Sequence, residues 1–264
     1  MPYVNSQGVR IYYEVEGRGP PIVFMHGTTR SHKMWRSFGY VKELKGDYRL
    51  ILIDARGCGN SDKPHDIQAY TPELMTEDIV AVLDDLGVVK ANFWGYSMGD
   101  RIGFQLIKYH PSRFSSYILG GMSPYPLRTA VEKQDGNNTI TRLRLGAEKG
   151  PEAVIAFREK TLGRVESDEV KRRIRGNDYK ALYALRQNHA KWPSTGDLLS
   201  RISVPCLLYA GERDASYYNG MKEAAKYIPD VRFISLPGLD HVETFYRINR
   251  VLPQVKKFLT RITG

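Results

Sequence analysis

Short apolar runs recur along most of the chain and are separated by polar or amphipathic segments. Unbroken apolar runs of about four to eight residues are typical of strands that a parallel sheet buries on both faces. The runs that predict such strands are Ile22–Met25, Tyr48–Ile53, Ala91–Gly95, Phe114–Gly120, Cys206–Ala210 and Val231–Leu236.

Helical spacing lies between these runs. Within Leu74–Leu86, the side chains of Ile79, Val82 and Leu83 fall on one helix face. The other predicted helices are Ile102–Tyr109, Met221–Tyr227 and Val251–Leu259. At the start of the chain, two short segments flank a turn sequence and predict an antiparallel hairpin, with strands at Tyr3–Val4 and Val9–Val15. Strands alternating with helices predict an α/β fold, a doubly wound, mostly parallel sheet of about eight strands.

The pattern changes in the middle of the chain. From about Ser123 to Ser200 the sequence is mostly polar and helical, with glycine interruptions at Gly136 and Gly150. We interpret residues 123–200 as an inserted helical cap and residues 1–122 and 201–264 as the sheet-containing core. There is no internal repeat and no low-complexity linker, so the cap is expected to belong to one folded unit.

Charge is distributed unevenly. The formal net charge is +10, and the segment from Arg128 to Arg201 holds sixteen Lys and Arg against ten acidic residues. No nucleic-acid-binding motif accompanies this excess, so a nucleic-acid partner is not expected. Two interpretations remain: a solvated helical surface, which we favour, or a basic rim that attracts anionic substrates.

The N-terminus has no basic start followed by an apolar run, and no apolar stretch approaches the roughly 20 residues of a membrane span. The two cysteines, Cys58 and Cys206, are poor evidence for a disulfide and fit a reducing compartment. We therefore expect a cytoplasmic protein with no membrane partner.

The strongest chemical signal is Gly95-Tyr96-Ser97-Met98-Gly99, which lies between a predicted strand and a predicted helix. A tight strand–turn–helix lifts a serine hydroxyl off the sheet, and the flanking glycines relieve crowding. The helix N-terminus also directs free N–H groups at the site. This context predicts Ser97 as a nucleophile; the alternative is a glycine-rich turn with a helix-capping serine.

A serine nucleophile needs a base and an acid, in the chain order serine, acid, histidine. His241 follows a predicted strand directly and is the candidate base, while His26, which precedes Ser97, is expected to shape its turn. Asp214 follows another strand and is the favoured acid; Glu212 and Asp240 are alternatives. The strand Phe114–Gly120 leads to no carboxylate. All three predicted residues come at the carboxyl ends of strands, where open parallel sheets bind ligands.

A tetrahedral intermediate needs N–H donors for its oxyanion. We expect one from Met98, at the start of the helix after Ser97, and one from Thr28, in the loop after the first buried strand.

Together these motifs resemble the series of the α/β-hydrolase superfamily. The residues that carry the likeness are His26-Gly27, Asp54-Ala-Arg-Gly-Cys-Gly-Asn-Ser-Asp62, Gly95-Tyr-Ser-Met-Gly99, Gly211-Glu-Arg-Asp214 and Asp240-His241. The likeness covers nearly the whole chain except the cap and is closest to small bacterial serine esterases and cofactor-free haloperoxidase/perhydrolase-like hydrolases. It implies a triad of Ser97, Asp214 and His241, with Thr28 and Met98 as the oxyanion hole.

Three positions depart from the family pattern. Cys58 replaces a common histidine or phenylalanine and is either a tolerated turn residue or a reactive thiol. Asp100 stands where a glycine often follows the elbow, and either favours the helix dipole or adds negative charge near the site. The loop after Gly27 reads Thr-Thr-Arg rather than a Gly/Pro-rich series.

The expected function is hydrolysis of a small-molecule carboxylic ester, or of a lactone or thioester, without metal or organic cofactor. Dehalogenases and epoxide hydrolases of similar fold need a carboxylate where this chain has Ser97, whereas a lyase with a similar serine stays open. A small-molecule sensor of slow or single turnover is the alternative from another class. Aromatic residues of the cap either line an apolar pocket or pack the cap onto the core: Tyr125, Phe157, Tyr183 and Trp192.

Overall fold

The computed structural model describes residues 2–263. Its eight strands form one sheet, and the order across it is β1-β2-β4-β3-β5-β6-β7-β8. The strands are β1 (Tyr3–Ser6), β2 (Val9–Glu16), β3 (Pro21–Met25), β4 (Arg49–Ile53), β5 (Ala91–Tyr96), β6 (Phe114–Gly120), β7 (Cys206–Gly211) and β8 (Val231–Leu236). The first two strands pair antiparallel, β2 pairs antiparallel with β4, and the other neighbours are parallel. The predicted α/β fold with a mostly parallel eight-stranded sheet is confirmed.

Eleven α-helices lie among the described residues. They are α1 (Lys33–Ser37), α2 (Tyr40–Leu44), α3 (Pro72–Asp85), α4 (Met98–Tyr109), α5 (Ala130–Lys149), α6 (Pro151–Leu162), α7 (Asp168–Arg175), α8 (Tyr179–His189), α9 (Tyr218–Ala224), α10 (His241–Tyr246) and α11 (Ile248–Thr263). The four helices predicted outside the cap are present with shifted ends. The short helices α1, α2 and α10 were not predicted, because one or two turns give too few apolar positions to define a period.

The central strands are buried on both faces, as the apolar runs predicted, whereas β1, β2 and β8 are partly exposed. Successive residues of a strand point to opposite faces. In β3, Val23 and Met25 join one apolar cluster, whereas Ile22 and Phe24 join a second. Helices must therefore cover both faces, and the site is confined to the edge where the parallel strands end.

The four helices α5–α8 occupy the chain between β6 and β7, within the predicted cap segment 123–200. Gly150 ends α5, as expected for a glycine with a φ of 80°. Gly136 does not interrupt it: a Cβ there would approach the Leu127 side chain at 2.5 Å, so this glycine lets α5 pack closely against the segment that precedes it. The division into core and cap stays a prediction.

Arg101 of α4 binds both ends of the cap segment. Its buried guanidinium donates hydrogen bonds to the carbonyl oxygens of Ser123 and Tyr125 at one end and of Trp192 and Pro193 at the other, at 3.0–3.2 Å. Burial lowers the pKa of Arg101 to about 10, which still leaves it protonated at neutral pH. The helix that follows Ser97 therefore also anchors the cap segment, a role that the sequence did not indicate.

A buried ion pair fixes the turn after β4. The Arg56 guanidinium contacts the Asp78 carboxylate of α3 at 2.5 and 2.7 Å, and both side chains are almost fully buried. In the same turn, the main-chain N–H of Ala55 donates to His26 Nε2 at 3.1 Å. The ion pair thus stabilises the turn after β4, and this turn supports the loop after β3.

No helix among residues 2–263 is long and apolar enough to cross a membrane.

Replacing Arg56 with methionine should destabilise the protein by about 3–5 kcal/mol, because it leaves the Asp78 carboxyl buried without its partner. Arg10→Met is the matched control, since the pair of Arg10 with Asp62 is largely exposed and should contribute little. Urea unfolding of the two variants measures the difference. Equal losses of stability would show that burial of the Arg56 pair is not what stabilises this turn.

Candidate active site

Ser97 has an unusual backbone conformation. It follows β5 and precedes α4, with φ = 57° and ψ = −117°. A positive φ is rare for a residue with a side chain and is retained only where surrounding contacts require it. The Ser97 N–H donates to the Gly120 carbonyl of the neighbouring strand at 2.8 Å. The predicted strand–turn–helix around Ser97 is thus present, and it holds the hydroxyl above the end of the sheet.

The two glycines of the motif are required by close contacts. A Cβ on Gly95 would lie 2.3 Å from the Gly99 carbonyl oxygen, and one on Gly99 would lie 2.1 Å from the Met25 carbonyl oxygen. Both distances are far below van der Waals contact. These positions need glycine because the start of α4 packs directly on the ends of β3 and β5.

The structure brings Ser97, His241 and Asp214 together from three separate strand ends. Ser97 Oγ lies 3.0 Å from His241 Nε2, and His241 Nδ1 lies 2.7 Å from Asp214 Oδ2. A carboxylate accepts a hydrogen bond from Nδ1–H, so the neutral imidazole leaves Nε2 free to accept from the serine hydroxyl. Asp214 is buried, whereas 30% of the His241 side chain is exposed, which leaves the histidine accessible to solvent.

The other two candidate acids have different roles. Glu212 is exposed, and its carboxylate accepts from the Ser235 hydroxyl at 2.6 Å. Asp240 caps α10, accepting from the Val242 and Glu243 N–H groups at 2.8 Å, while Glu243 accepts from the Asp240 N–H. This capping box places His241 at the first residue of α10. Of the three acids, Asp214 is the one in contact with His241.

Two tyrosines pack against His241. The rings of Tyr96 and Tyr217 lie 5.5 and 5.4 Å from the imidazole, measured between ring centroids. The Tyr96 hydroxyl also donates to the His241 carbonyl oxygen, so this side chain holds both the ring and the backbone of the histidine. Sequence reasoning passed over Tyr96, although it adjoins Ser97. Tyr217 carried no sequence signal, since its position against the ring depends on the turn after Asp214.

His26 shapes the loop after β3, as predicted. Its Nε2 accepts from the Ala55 N–H, so the proton resides on Nδ1, which lies 2.8 Å from the Gly27 carbonyl oxygen. Burial lowers the pKa of His26, consistent with this neutral form. The imidazole therefore ties the loop to the turn that Arg56 secures.

The loop after β3 contains Thr28 and is the predicted oxyanion loop; it lies beside Ser97. A Cβ built on Gly27 would be 3.3 Å from the Ser97 Cβ, so Thr28 is the residue directly after the point where the loop approaches Ser97. Thr29 has φ = 61°, a second strained conformation in the same loop. Within residues 2–263, no carbonyl or side chain accepts a hydrogen bond from the Thr28 N–H. Met98 is the first residue of α4, where backbone N–H groups have no intrahelical acceptor.

A second buried contact supports the far end of this loop. Asp54 Oδ1 accepts from His32 twice, from the backbone N–H at 2.6 Å and from ring Nδ1 at 2.9 Å. Burial alone would raise the pKa of Asp54, but these contacts hold it below its ordinary value. An ionised Asp54 therefore fixes the start of α1 and with it the end of the loop that joins β3 to α1.

Asp100 has neither of the two roles considered from the sequence. It is fully buried in the first turn of α4, and its Oδ2 accepts from the Met122 N–H at 2.9 Å. Burial raises the pKa of Asp100 well above its ordinary value, which favours the neutral acid. A neutral acid adds little to the helix dipole or to the charge of the site, so Asp100 instead joins α4 to the chain after β6.

Cys58 is a buried turn residue. Burial raises the pKa of its thiol to about 12, so the reactive thiolate form is suppressed at neutral pH. Both Cys58 and Cys206 are free.

The aromatic residues of the cap differ from one another. Trp192 is buried and its indole N–H donates to the Tyr70 carbonyl and to Asn188, so it packs the cap onto the core. Tyr125 and Tyr183 are partly buried against the same apolar cluster. Packing is thus the main role of three of the four residues, and Phe157 is half-buried.

Comparisons with known proteins agree with this fold. Residues 20–243 match a family described by its alpha/beta hydrolase fold. A relative from Bacillus subtilis (strain 168), provisionally assigned as a 2-succinyl-6-hydroxy-2,4-cyclohexadiene-1-carboxylate synthase, is 30% identical over 97% of both chains. Shorter matches to mammalian epoxide hydrolases span less than half of each chain.

Two solved structures share the fold. An esterase from Thermogutta terrifontis is 24% identical, with a TM-score of 0.80 over 99% of this chain and 98% of that one. An enol-lactonase from Burkholderia xenovorans LB400 is 22% identical, with a TM-score of 0.82 over 98% of this chain and 100% of that one. At these identities the likeness concerns the fold. Since the family match covers most of its length and includes the serine elbow, this chain belongs to the α/β-hydrolase family.

Proposed function

We propose that this protein hydrolyses small-molecule carboxylic esters, including lactones or thioesters, through an acyl-enzyme on Ser97. The observation that carries the proposal is the continuous array from Ser97 Oγ through the His241 imidazole to the buried Asp214 carboxylate. A serine hydroxyl becomes a nucleophile when an oriented base accepts its proton, and this array supplies both the base and the group that orients it.

In the proposed reaction, Ser97 Oγ attacks the carbonyl carbon while His241 Nε2 takes the hydroxyl proton. The oxyanion then accepts hydrogen bonds from the main-chain N–H groups of Thr28 and Met98. His241 returns its proton to the leaving alcohol, and Asp214 stabilises the imidazolium that forms in between. Water then attacks the acyl-enzyme by the same route and regenerates Ser97. These steps use only protein side chains, backbone N–H groups and water.

Serine at position 97 argues against the chemistry of the epoxide hydrolases. Those enzymes of similar fold require a carboxylate nucleophile, and the side chain on this elbow is a hydroxyl. The proposal therefore rests on Ser97 and not on the partial matches to that class.

An elimination reaction is the second candidate. The B. subtilis relative that covers 97% of the chain carries the name of a synthase, and the same Ser97–His241 pair can act as a base that removes a proton from carbon. Such a reaction forms no acyl-enzyme, so trapping of an acyl group on Ser97 separates the two candidates. A slow sensor differs again, because it would stop near one turnover per chain.

A fluorophosphonate probe should label Ser97 rapidly, because an activated serine attacks phosphorus. Ser97→Ala should abolish labelling and lower kcat for p-nitrophenyl esters by a factor on the order of 10⁶. Mass spectrometry of the labelled peptide and a panel of esters of increasing acyl length provide the measurements. Labelling that persists in Ser97→Ala would refute the nucleophile assignment.

Asp214→Asn should retain the fold and lower kcat by a factor on the order of 10³ to 10⁴, because the amide no longer fixes the required imidazole tautomer. Glu212→Gln is the matched control, since Glu212 is exposed and contacts Ser235. Steady-state kinetics on one ester compares the two variants. If Glu212→Gln is the more damaging change, the acid has been assigned to the wrong carboxylate.

Thr28→Pro removes the proposed backbone donor and should cost roughly 3 kcal/mol or more of transition-state stabilisation. Thr28→Ala keeps the N–H and should be mild. Thermal melting must first show that the proline variant folds. Full activity in a folded Thr28→Pro protein would move the second donor elsewhere, with Thr29 next in line, whereas an equally damaging Thr28→Ala would give the hydroxyl a direct part.

A further inference from the structure

A cleft of about 430 Å³ lies between the oxyanion loop and the cap helix α7. The loop contributes Thr29 and Arg30 to its wall, and α7 contributes Arg172 and Arg173. Two carboxylates also line the cleft, but Asp54 is bound to His32, which leaves exposed Glu169 as the free acid. The wall is therefore strongly basic close to the predicted oxyanion donor.

Two half-buried arginines, Arg142 and Arg173, make no hydrogen bond or ion pair within residues 2–263. Arg173 lines the cleft, whereas Arg142 of α5 is outside its lining and interacts electrostatically with Arg30. Burial lowers the pKa of each guanidinium, and positive charges lower it further: Arg158 and Arg30 act on Arg142, and Arg30 and Arg158 act on Arg173. Tyr246 and Glu169 offset part of this effect at Arg173, and Tyr179 offsets part of it at Arg142. Arginines from four segments are therefore close enough for their charges to interact.

This lack of partners matters because both side chains are half-buried. Two other half-buried cations of the cap, Arg158 and Lys171, are paired with Glu166 and Glu159. A partly desolvated guanidinium without a counter-ion is unfavourable, and a cluster of like charges adds repulsion. A missing anion would account for both costs.

Arg30 connects this cluster to the catalytic array. It follows Thr28 by two residues, which limits their Cα separation to about 7 Å. Its guanidinium donates to the Tyr246 hydroxyl at 2.5 Å, and Tyr246 lies on α10, the helix that begins at His241. An anion held by this cluster would therefore lie within a short chain length of the carbonyl that Ser97 attacks.

We propose that Arg30, Arg142 and Arg173 form a subsite for a carboxylate on the substrate, so that the preferred esters or lactones carry an acidic group in addition to the scissile carbonyl. The proposal rests on the hydrolytic function proposed above. A guanidinium fork binds a carboxylate through paired, charge-assisted hydrogen bonds, which makes arginine suited to this task. The basic excess of the cap thus has a part directed inward, where the sequence analysis favoured a solvated surface.

The test compares matched esters. Monomethyl esters of dicarboxylic acids from glutaric to suberic acid carry a terminal carboxylate, and the corresponding monoamides have the same shape without the charge. The wild-type protein should favour the carboxylate esters by about tenfold or more in kcat/KM, the effect expected of one charge-assisted hydrogen bond. Equal kcat/KM values for acid and amide at every length would overturn the subsite.

Arg142→Gln and Arg173→Gln should each remove most of that preference, while Arg142→Lys, which keeps the charge without the fork, should retain part of it. Arg144→Gln is the matched control, because Arg144 lies on the same helix and is exposed. A preference that survives both glutamine variants, or that Arg144→Gln abolishes equally, would contradict the assignment.

Thermal stability gives a second readout. Removing an unpaired, half-buried charge should raise the Tm of Arg142→Gln by about 2–4 °C. A fall in Tm together with equal losses on acid and amide esters would show that Arg142 supports the fold, and would overturn its role in binding.

Binding to the Ser97→Ala protein separates this proposal from the hydrolytic one. Calorimetry with free dicarboxylates should show binding that Arg142→Gln weakens, even if no ester is turned over, in which case the subsite stands and hydrolysis falls. If the protein hydrolyses esters without any preference for a carboxylate, the hydrolytic function stands and the subsite is refuted. If inorganic phosphate binds and dicarboxylates do not, the carboxylate assignment is wrong.

Discussion

Close packing around Ser97 is the constraint on which the site depends. The start of α4 contacts the ends of β3 and β5 so closely that Gly95 and Gly99 admit no side chain. This contact forces Ser97 into a positive φ and raises its hydroxyl above the sheet. Gly27 approaches the same residue from the neighbouring loop, so the elbow and the proposed oxyanion loop are adjusted to one another through a single crowded point.

Polar contacts buried behind the site keep these parts in register. Arg56 and Asp78 hold the turn after β4, the turn holds His26, and His26 holds the loop that contains Thr28. Arg101 performs a comparable service for the cap, because it binds carbonyl groups at both ends of that segment. A strained elbow persists only where surrounding structure over-determines it, and these buried donors supply much of that restraint.

The cap is organised on a different principle. Its helices share one apolar cluster with the core, to which Leu143, Ile155 and Leu182 all contribute. Against this packing stands the repulsion of Arg30 with Arg142 and with Arg173, which Glu169 offsets only in part at Arg173. Unfavourable interactions that are confined to one place in an otherwise well-packed fold are commonly found at binding sites.

Much of the fold and of the candidate site could be predicted from the sequence, because both rest on local patterns. Apolar runs between glycine-rich turns specify buried parallel strands, and the bounds of β6 and β8 agree residue for residue with the runs that predicted them. Parallel strands place their carboxyl ends at one edge, so Ser97, Asp214 and His241 could be expected to meet before any distance was known.

Only the tertiary structure decided the contacts between segments that are distant in the chain. These contacts identify Asp214, rather than Glu212 or Asp240, as the acid that binds His241, and they place the Tyr217 ring against the same histidine. They also bury Asp100, whose raised pKa favours the neutral acid, between α4 and the chain after β6. The tertiary structure also showed which of the many cap arginines face inward without a partner. Periodicity reports the face of an element but not what the opposing element presents to it, and the charge state of a side chain depends on that opposing surface.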